Sequence, residues 1–353
     1  MRLKIIILAV CLFFLKLSLF SQEVKELKEF EIESGKEFWD LYNVIEPLKK
    51  SDTNLAISKL ENAFCKTNNN FTKCKILEEL GEMYTSTKQF DKFLKMYEDL
   101  LNSGLTVLFQ HRGETYPEYT KEFKNNEKFI SLLNRNIQMV KEANVNSTAE
   151  YYIQKPYNYK EGIIYPLIMV FHGGIGNIQD MQNFWNSDKL QKEYIIAFVQ
   201  GREIKCSYNR FFGSNGISEM KRIYKKITDD YLIDTAKVIL SGPSAGGMFS
   251  IDLAINKHIP AQGLILAFPV KPENFNADKI LNSGLKGLRI SMICGENDWA
   301  IKSQKEMSVI FDKLGVQNRL LIFPDLGHEF PKDFSNQIDN SIDYIRNDKI
   351  NIR

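Results

Sequence analysis

The second half of the chain alternates short apolar runs with stretches of helical periodicity. Strands that are buried on both faces are near-continuous apolar runs, and strands that alternate with helices form a mostly parallel sheet covered on both sides. The sequence therefore predicts a doubly wound α/β domain over residues 147–353. The predicted strands are 149–154, 163–171, 194–199, 237–240, 263–268, 288–294 and 319–323.

A G-x-S-x-G pattern follows the predicted strand 237–240 directly, as Gly242-Pro243-Ser244-Ala245-Gly246. In such a turn between a strand and a helix, the serine hydroxyl is lifted clear of the sheet. The turn crowds the backbone around the serine, and glycines at positions 242 and 246 relieve the crowding because they lack a Cβ. The pattern predicts Ser244 as a nucleophile, which then requires a base, an acid and oxyanion donors from other loops.

The base is sought among four histidines. His328 follows the last predicted strand, and Gly327 before it frees the loop to aim the imidazole at the elbow, so His328 is the predicted general base. His172 ends the predicted strand 163–171 and is expected to shape a turn. His111 lies outside the predicted sheet domain, and His258 lies at the end of a helix.

The acid is expected between the serine and the histidine in chain order. Asp298 lies on the loop after the predicted strand 288–294 and is the predicted residue that orients His328. Glu296 and Asp325 are the alternatives.

The oxyanion requires preorganised backbone donors. One is expected from Ala245, the residue after the nucleophile, and another from the glycine-rich loop that begins at His172. Gly174 is the predicted second donor, with Gly173 and Ile175 as alternatives.

Together these residues resemble the α/β-hydrolase superfamily from about residue 149 onward, in the order Ser244, Asp298, His328. The elbow, 239–248, resembles that of secreted feruloyl esterases and polyhydroxybutyrate depolymerases. Asp234 and the loop 295–298 also fit the dienelactone hydrolases. The resemblance implies an α/β-hydrolase fold and hydrolysis of small carboxylic esters through an acyl-enzyme, without a metal or organic cofactor. Because some relatives are peptidases, a serine peptidase is the alternative.

The substrate pocket is the least specified part of the site. Trp299, Phe330, Phe211 and Phe212 are candidate lining residues, although each is also compatible with ordinary packing. The segment 205–216 matches no substrate pattern of the resembling families.

Residues 22–146 carry apolar residues at helical spacing and no convincing strand. Part of this region resembles a tetratricopeptide repeat, which makes it a candidate surface for a protein partner. The favoured interpretation is a helical cap docked on the catalytic domain that restricts substrate size; a repeat module that binds a protein partner is the alternative, and a non-catalytic binding protein is a third hypothesis. The repeat-like positions are Leu77, Leu80, Gly81, Tyr84, Phe90, Tyr97 and Leu100.

Residues 1–21 combine a short basic start with an apolar run at 5–15. A bilayer-spanning helix needs about 20 apolar residues, so the segment predicts a secretory signal peptide and export to the periplasm or medium. An uncleaved membrane anchor is the alternative.

The chain has 46 basic and 44 acidic residues, and the predicted signal takes three basic residues with it. A near-neutral surface gives no reason to expect nucleic acid as a partner. Cys65 and Cys74 flank a polar turn and are compatible either with a local disulfide or with two free thiols, whereas Cys294 is expected in the core.

Overall fold

The computed structural model describes residues 24–108, 110–111, 114–115, 123, 125–282 and 287–347. The predicted signal segment, 1–21, lies outside the described residues.

An eight-stranded sheet forms the centre of the molecule, in the order β1-β2-β4-β3-β5-β6-β7-β8. The strands from β4 to β8 in this order are parallel, whereas β2 runs antiparallel to β4, and β1 runs parallel to β2. All seven predicted strands are present. The strands are β1 (Val24–Leu27), β2 (Ala149–Gln154), β3 (Tyr165–Phe171), β4 (Ile195–Gln200), β5 (Ile233–Pro243), β6 (Gly263–Ala267), β7 (Arg289–Gly295) and β8 (Gln317–Phe323).

The first strand corrects the expectation that residues 22–146 contain none. Val24–Leu27 pairs with β2 at the edge of the sheet, in the register Val24 to Ala149. It is only four residues long and half charged, so it lacks the apolar run by which the other strands were predicted. Short antiparallel strands also occur at Gln110–His111 and Glu114–Thr115. The proposed division of the chain at residue 146 stays a prediction, and β1 belongs to the sheet.

Five helices follow β1 and enclose a hydrophobic core of their own. Successive helices pack against each other from the first to the fifth. Three of them begin at a side-chain cap, in which Asp52, Asn69 or Asn126 accepts a hydrogen bond from a backbone N–H of the first turn. The resemblance to tetratricopeptide repeats stays a prediction. The helices are α1 (Lys36–Ser51), α2 (Thr53–Lys66), α3 (Asn70–Ser86), α4 (Phe90–Asn102) and α5 (Glu127–Asn144).

The remaining helices cover the two faces of the sheet. Three contribute buried side chains to the core on one face, namely α8 (Gly216–Asp230), α9 (Ser244–Ile255) and α11 (Ile301–Lys313). Three others pack on the opposite face, namely α6 (Ile178–Phe184), α7 (Asp188–Glu193) and α12 (Phe334–Arg346). A short helix, α10, spans Ala277–Asn282.

This architecture is the predicted α/β-hydrolase fold, preceded by a helical region. The parallel strands are covered on both faces, and the turn with Ser244 follows β5, in the middle of the sheet. Ligands of open α/β sheets bind at the carboxyl ends of the strands, which is where the predicted site residues lie.

Two further findings concern the described residues. Among the described helices, none combines the length and the apolarity that crossing a bilayer requires. Cys65, Cys74, Cys206 and Cys294 are free thiols, so the structure contains no Cys65–Cys74 disulfide, and Cys294 is buried as predicted.

Candidate active site

Ser244 lies at the strained turn between β5 and α9. Its φ of 48° is in the left-handed region, which is unfavourable for a residue with a side chain. The flanking glycines are required by the close approach of β3. A Cβ at Gly242 would lie 2.4 Å from the carbonyl oxygen of Phe171, and a Cβ at Gly246 would lie 2.2 Å from the same oxygen. The predicted elbow is therefore present, and the close approach of β3 explains why both flanking residues are glycines.

Ser244, His328 and Asp298 form one hydrogen-bonded chain. The Oγ of Ser244 lies 2.9 Å from Nε2 of His328, and Nδ1 of His328 lies 2.9 Å from Oδ1 of Asp298. With Nδ1–H donating to the carboxylate, Nε2 has a free lone pair for the serine proton. The structure thus brings together three residues that are 54 and 30 positions apart in sequence.

Asp298 is buried, with only 2% of its surface exposed, and its carboxylate is held by further donors. The backbone N–H of Ala300 donates to Oδ1 over 2.8 Å, and Nε2 of Gln304 donates to Oδ2 over 2.8 Å. The same Gln304 amide also donates to the carbonyl of Pro269 over 3.2 Å. Gln304 was not predicted, because a single glutamine on a helix carries no pattern in the sequence.

The acid loop and the histidine loop contact each other directly. The N–H of Asn297 donates to the carbonyl of Leu326 over 2.8 Å, and a Cβ at Gly295 would lie 2.2 Å from that carbonyl oxygen. In the loop that carries His328, the residue in the left-handed region is Asp325, with φ of 58°. The prediction that this turn depends on the conformational freedom of Gly327 was therefore wrong. Glu296 and Asp325, the alternative acids, are both exposed and make no hydrogen bond to His328 within the described residues.

The predicted oxyanion donors lie on both sides of Ser244. Ala245 is the second residue of α9, and N–H groups in the first turn of a helix have no intrahelical acceptor. The N–H groups of Gly173, Gly174 and Ile175 donate to no protein acceptor within the described residues. A Cβ at Gly173 would lie 3.9 Å from Cβ of Ser244, whereas one at Gly174 would meet nothing within 4 Å. Space for a substrate oxygen is therefore present beside this loop.

His172 anchors one end of the predicted oxyanion loop, residues 173–176, in agreement with the role in the turn that was predicted for this histidine. Its side chain is fully buried and stacks on Phe212, with the ring centroids 4.1 Å apart. Nδ1 donates to the carbonyl of Gly173 over 2.6 Å, and Nε2 accepts from the N–H of Gly201 over 3.2 Å. Burial lowers the pKa of His172 to about 4, so its ring stays neutral at pH 7.

Arg210 fixes the other end of the oxyanion loop. Its backbone N–H donates to the carbonyl of Gly176 over 2.7 Å, and the N–H of Gly176 donates back over 3.1 Å. Its guanidinium pairs with the carboxylate of Glu150 over 3.0 Å, with both side chains largely buried. The segment 205–216, which matches no substrate pattern of the resembling families, therefore supports this loop.

The helical region packs on the same supporting segment. The Oγ of Ser207 accepts from the N–H of Thr106 over 2.7 Å, and the hydroxyl of Tyr208 donates to Glu33 over 2.7 Å. Asn144 exchanges two hydrogen bonds of 2.8 Å with the backbone of Ile204. The region 22–146 thus contacts the predicted oxyanion loop through residues 204–210.

The candidate pocket residues lie in different environments. Trp299 is 71% exposed, and its ring centroid lies 5.0 Å from that of His328. Phe330 is half-buried and stacks on Phe184 at 4.0 Å. Phe211 is half-buried, but Phe212 is only 2% exposed. The prediction for Phe212 was wrong, because consecutive residues of an extended segment point to opposite faces and Phe212 points into the core.

Comparisons with known proteins give weak similarities. No protein-family model and no curated protein matches the sequence. An uncharacterised protein from Bacillus cereus is 18% identical, over 88% of this chain and 99% of that one, with a TM-score of 0.48. A protein assigned as a dipeptidyl aminopeptidase IV from Bacteroides ovatus is 15% identical, over 58% of this chain and 34% of that one, with a TM-score of 0.47.

A thermophilic esterase from the planctomycete Thermogutta terrifontis, solved with propionate bound, is also similar. It is 15% identical, over 57% of this chain and 89% of that one, with a TM-score of 0.42. All three TM-scores are below 0.5, so none of these proteins supports a function for this chain.

Proposed function

We propose that this protein is a serine hydrolase that cleaves carboxylic esters through an acyl-enzyme on Ser244. The observation that carries the proposal is the chain of two 2.9 Å hydrogen bonds from Ser244 through His328 to Asp298, with the serine at a strained turn. A serine held in this way has its hydroxyl exposed to substrate and a base within proton-transfer distance.

In the first half-reaction, Oγ of Ser244 attacks the ester carbonyl carbon while Nε2 of His328 accepts the hydroxyl proton. Asp298 stabilises the imidazolium that forms and stays ionised itself. When the tetrahedral intermediate collapses, the bond from carbon to the alcohol oxygen breaks. His328 then returns its proton to that oxygen, and the alcohol leaves.

In the second half-reaction, water takes the place of the serine hydroxyl as nucleophile. His328 accepts a proton from the water as its oxygen attacks the acyl carbon. Collapse of the second intermediate breaks the bond to Oγ, and His328 returns the proton to Ser244. The products are a carboxylic acid and free enzyme.

Backbone donors stabilise the negative oxygen of both intermediates. We assign these to Ala245 and to the loop 173–175, with Gly174 as the predicted donor. Loss of one such donor costs about 3–4 kcal/mol of transition-state stabilisation in a well-studied serine protease.

The proposal is tested with Ser244→Ala and, as a control, Ser218→Ala, which removes an exposed hydroxyl at the start of another helix. We expect hydrolysis of p-nitrophenyl butyrate to fall by about 10⁶-fold in the first variant and to be unchanged in the second. A fluorophosphonate probe should label wild type and Ser218→Ala but not Ser244→Ala. Folded wild-type protein that is neither labelled nor active would support the non-catalytic binding hypothesis instead.

A panel of aminoacyl p-nitroanilides separates the peptidase alternative from the esterase. Labelling at Ser244 with cleavage of anilides in preference to esters would assign amide hydrolysis. Export through residues 1–21 and binding of a protein partner by the helical region stay predictions.

A further inference from the structure

An apolar groove of about 410 Å³ lies beside the helix that begins at Ser244. Its walls are formed by Phe211, Ile217, Met248, Phe249 and Pro272. The volume lies within the usual range for small-molecule sites, about 300–1,000 Å³. None of Ile217, Met248, Phe249 or Pro272 was predicted from the sequence as part of a site.

The groove continues the face of α9 that carries the nucleophile. Met248 is four residues after Ser244, and Phe249 is four residues after Ala245, so these side chains stack along one side of the helix. One such step is about 6 Å along the helix axis. Both Met248 and Phe249 are half-buried, which leaves part of each side chain open to the groove.

The other walls are tied to the immediate surroundings of Ser244. Phe211 follows Arg210, whose backbone pairs with Gly176 at the end of the oxyanion loop. Pro272 lies two residues after Val270, whose N–H donates to the carbonyl of Ser244 over 3.2 Å. The position of the groove relative to the nucleophile is therefore fixed by backbone hydrogen bonds.

His328 lies on the other side of the nucleophile. Its ring contacts Phe268, at 4.7 Å between centroids, and Phe268 belongs to the core on the opposite face of the sheet from Phe249. Because His328 must deliver its proton to the alcohol oxygen, the alcohol part of an ester lies toward His328 and Trp299. The acyl part then extends in the other direction, toward Met248.

We propose that this groove, the acyl groove, binds the acyl chain of the substrate, and that the preferred substrates are esters of neutral, apolar acids of medium chain length. The inference rests on the proposed function. Met248 is the residue that sets the length, because it lies four residues along α9 from Ser244, and Asp252, which also lines the groove, lies four residues further on the same side of the helix.

Two carboxylates at the groove are the reason for which we expect a preference for uncharged acyl chains. Asp252 and Glu273 both line it, and Oδ1 of Asp252 is held by the amides of Asn256, at 2.7 Å, and Asn274, at 3.2 Å. An acyl chain that ends in a carboxylate would meet like charge there, which disfavours it.

The experiment measures kcat/KM for p-nitrophenyl esters from acetate to octanoate. Each methylene that enters the groove should raise kcat/KM about 4-fold, which corresponds to about 0.8 kcal/mol. Met248→Trp fills the groove and should abolish this increase of kcat/KM with chain length. Met248→Ala lengthens the groove and should move the optimum to longer chains.

Met139→Trp is the matched control, since Met139 is a half-buried methionine on a helix outside the sheet domain. It should keep the wild-type chain-length profile. An unchanged profile in folded Met248→Trp and Met248→Ala, or hydrolysis of a monoadipoyl ester as fast as of hexanoate, would overturn the proposal. Failure of wild type to react with a fluorophosphonate would instead reject the proposed function itself.

Discussion

Two loops that follow strands of the sheet each carry a histidine, and the two histidines differ in their surroundings and in what they can do. His172 follows β3 and His328 follows the turn after β8, and both loops flank Ser244. His172 is fully buried with both ring nitrogens engaged by the backbone, whereas the side chain of His328 is 23% exposed and links two side chains. Burial and partners, rather than position after a strand, separate a histidine that supports the backbone from one that can exchange protons.

The largest expected effect concerns His328, the histidine of this pair that can exchange protons. His328→Ala should lower kcat for p-nitrophenyl butyrate by about 10⁶-fold, because Ser244 loses its base. The free energy of unfolding should change by less than about 1 kcal/mol, since the side chain is partly exposed. Steady-state kinetics measure the change in kcat, and urea denaturation measures the change in the free energy of unfolding. Activity within tenfold of wild type would contradict the assignment.

Asp298→Asn should lower kcat by about 10⁴-fold, because an amide no longer fixes the histidine tautomer. The fold should be retained, since the amide oxygen can still accept from the backbone N–H of Ala300, although the second acceptor, which Gln304 uses, is lost. The exposed acid on the same loop gives the control, and Glu296→Gln should leave kcat within about threefold. A larger effect of Glu296→Gln than of Asp298→Asn would reverse the assignment of the acid.

His172 should affect the pH dependence of stability. Its folded pKa, about 4, lies below the ordinary value of 6.5, so between these pH values the unfolded chain binds a proton that the folded chain does not. The unfolding free energy should therefore fall as pH decreases from 6.5 to 4, by about 3 kcal/mol from this residue.

His172→Gln can still accept from Gly201 but does not titrate, so its stability should depend less on pH than that of wild type. Urea denaturation at pH 7, 5.5 and 4.5 measures the dependence for wild type and for His172→Gln. An equal pH dependence of the unfolding free energy in wild type and His172→Gln would contradict the lowered pKa of His172.

The smallest effects come from glycines of the oxyanion loop. A Cβ at Gly176 would lie 3.0 Å from Cβ of His172, so Gly176→Ala should displace the loop and lower kcat about tenfold. Gly174→Ala keeps the N–H and meets nothing within 4 Å, so kcat should stay within about threefold. Kinetics of both variants with p-nitrophenyl acetate test this contrast, which a tenfold loss in Gly174→Ala would contradict.

The sequence sufficed for the parts of the molecule that have a strong local pattern. The apolar runs predicted seven strands, and Ser244, Asp298 and His328 followed from their positions after those strands. Gln304 and Arg210 were missed because each acts through a tertiary contact, to Asp298 and to Gly176, that no spacing indicates.

The error at Phe212 has a different cause. Phe211 and Phe212 are adjacent and chemically identical, so only the direction of the backbone decides which one faces the groove and which the core. The short strand that contains Phe211 is two residues long, too short for its alternation to be visible in the sequence.

The pairing of Val24–Leu27 with β2 makes the helical region an insertion between neighbouring strands of one sheet. Contacts between residues so far apart in sequence form late in folding, because closing a long loop costs entropy before the contacts form. We therefore expect the helices and the parallel strands to assemble first and β1 to join last. In the folded protein the helical region is therefore attached to the sheet at both ends, through β1 at its start and through β2 at its end.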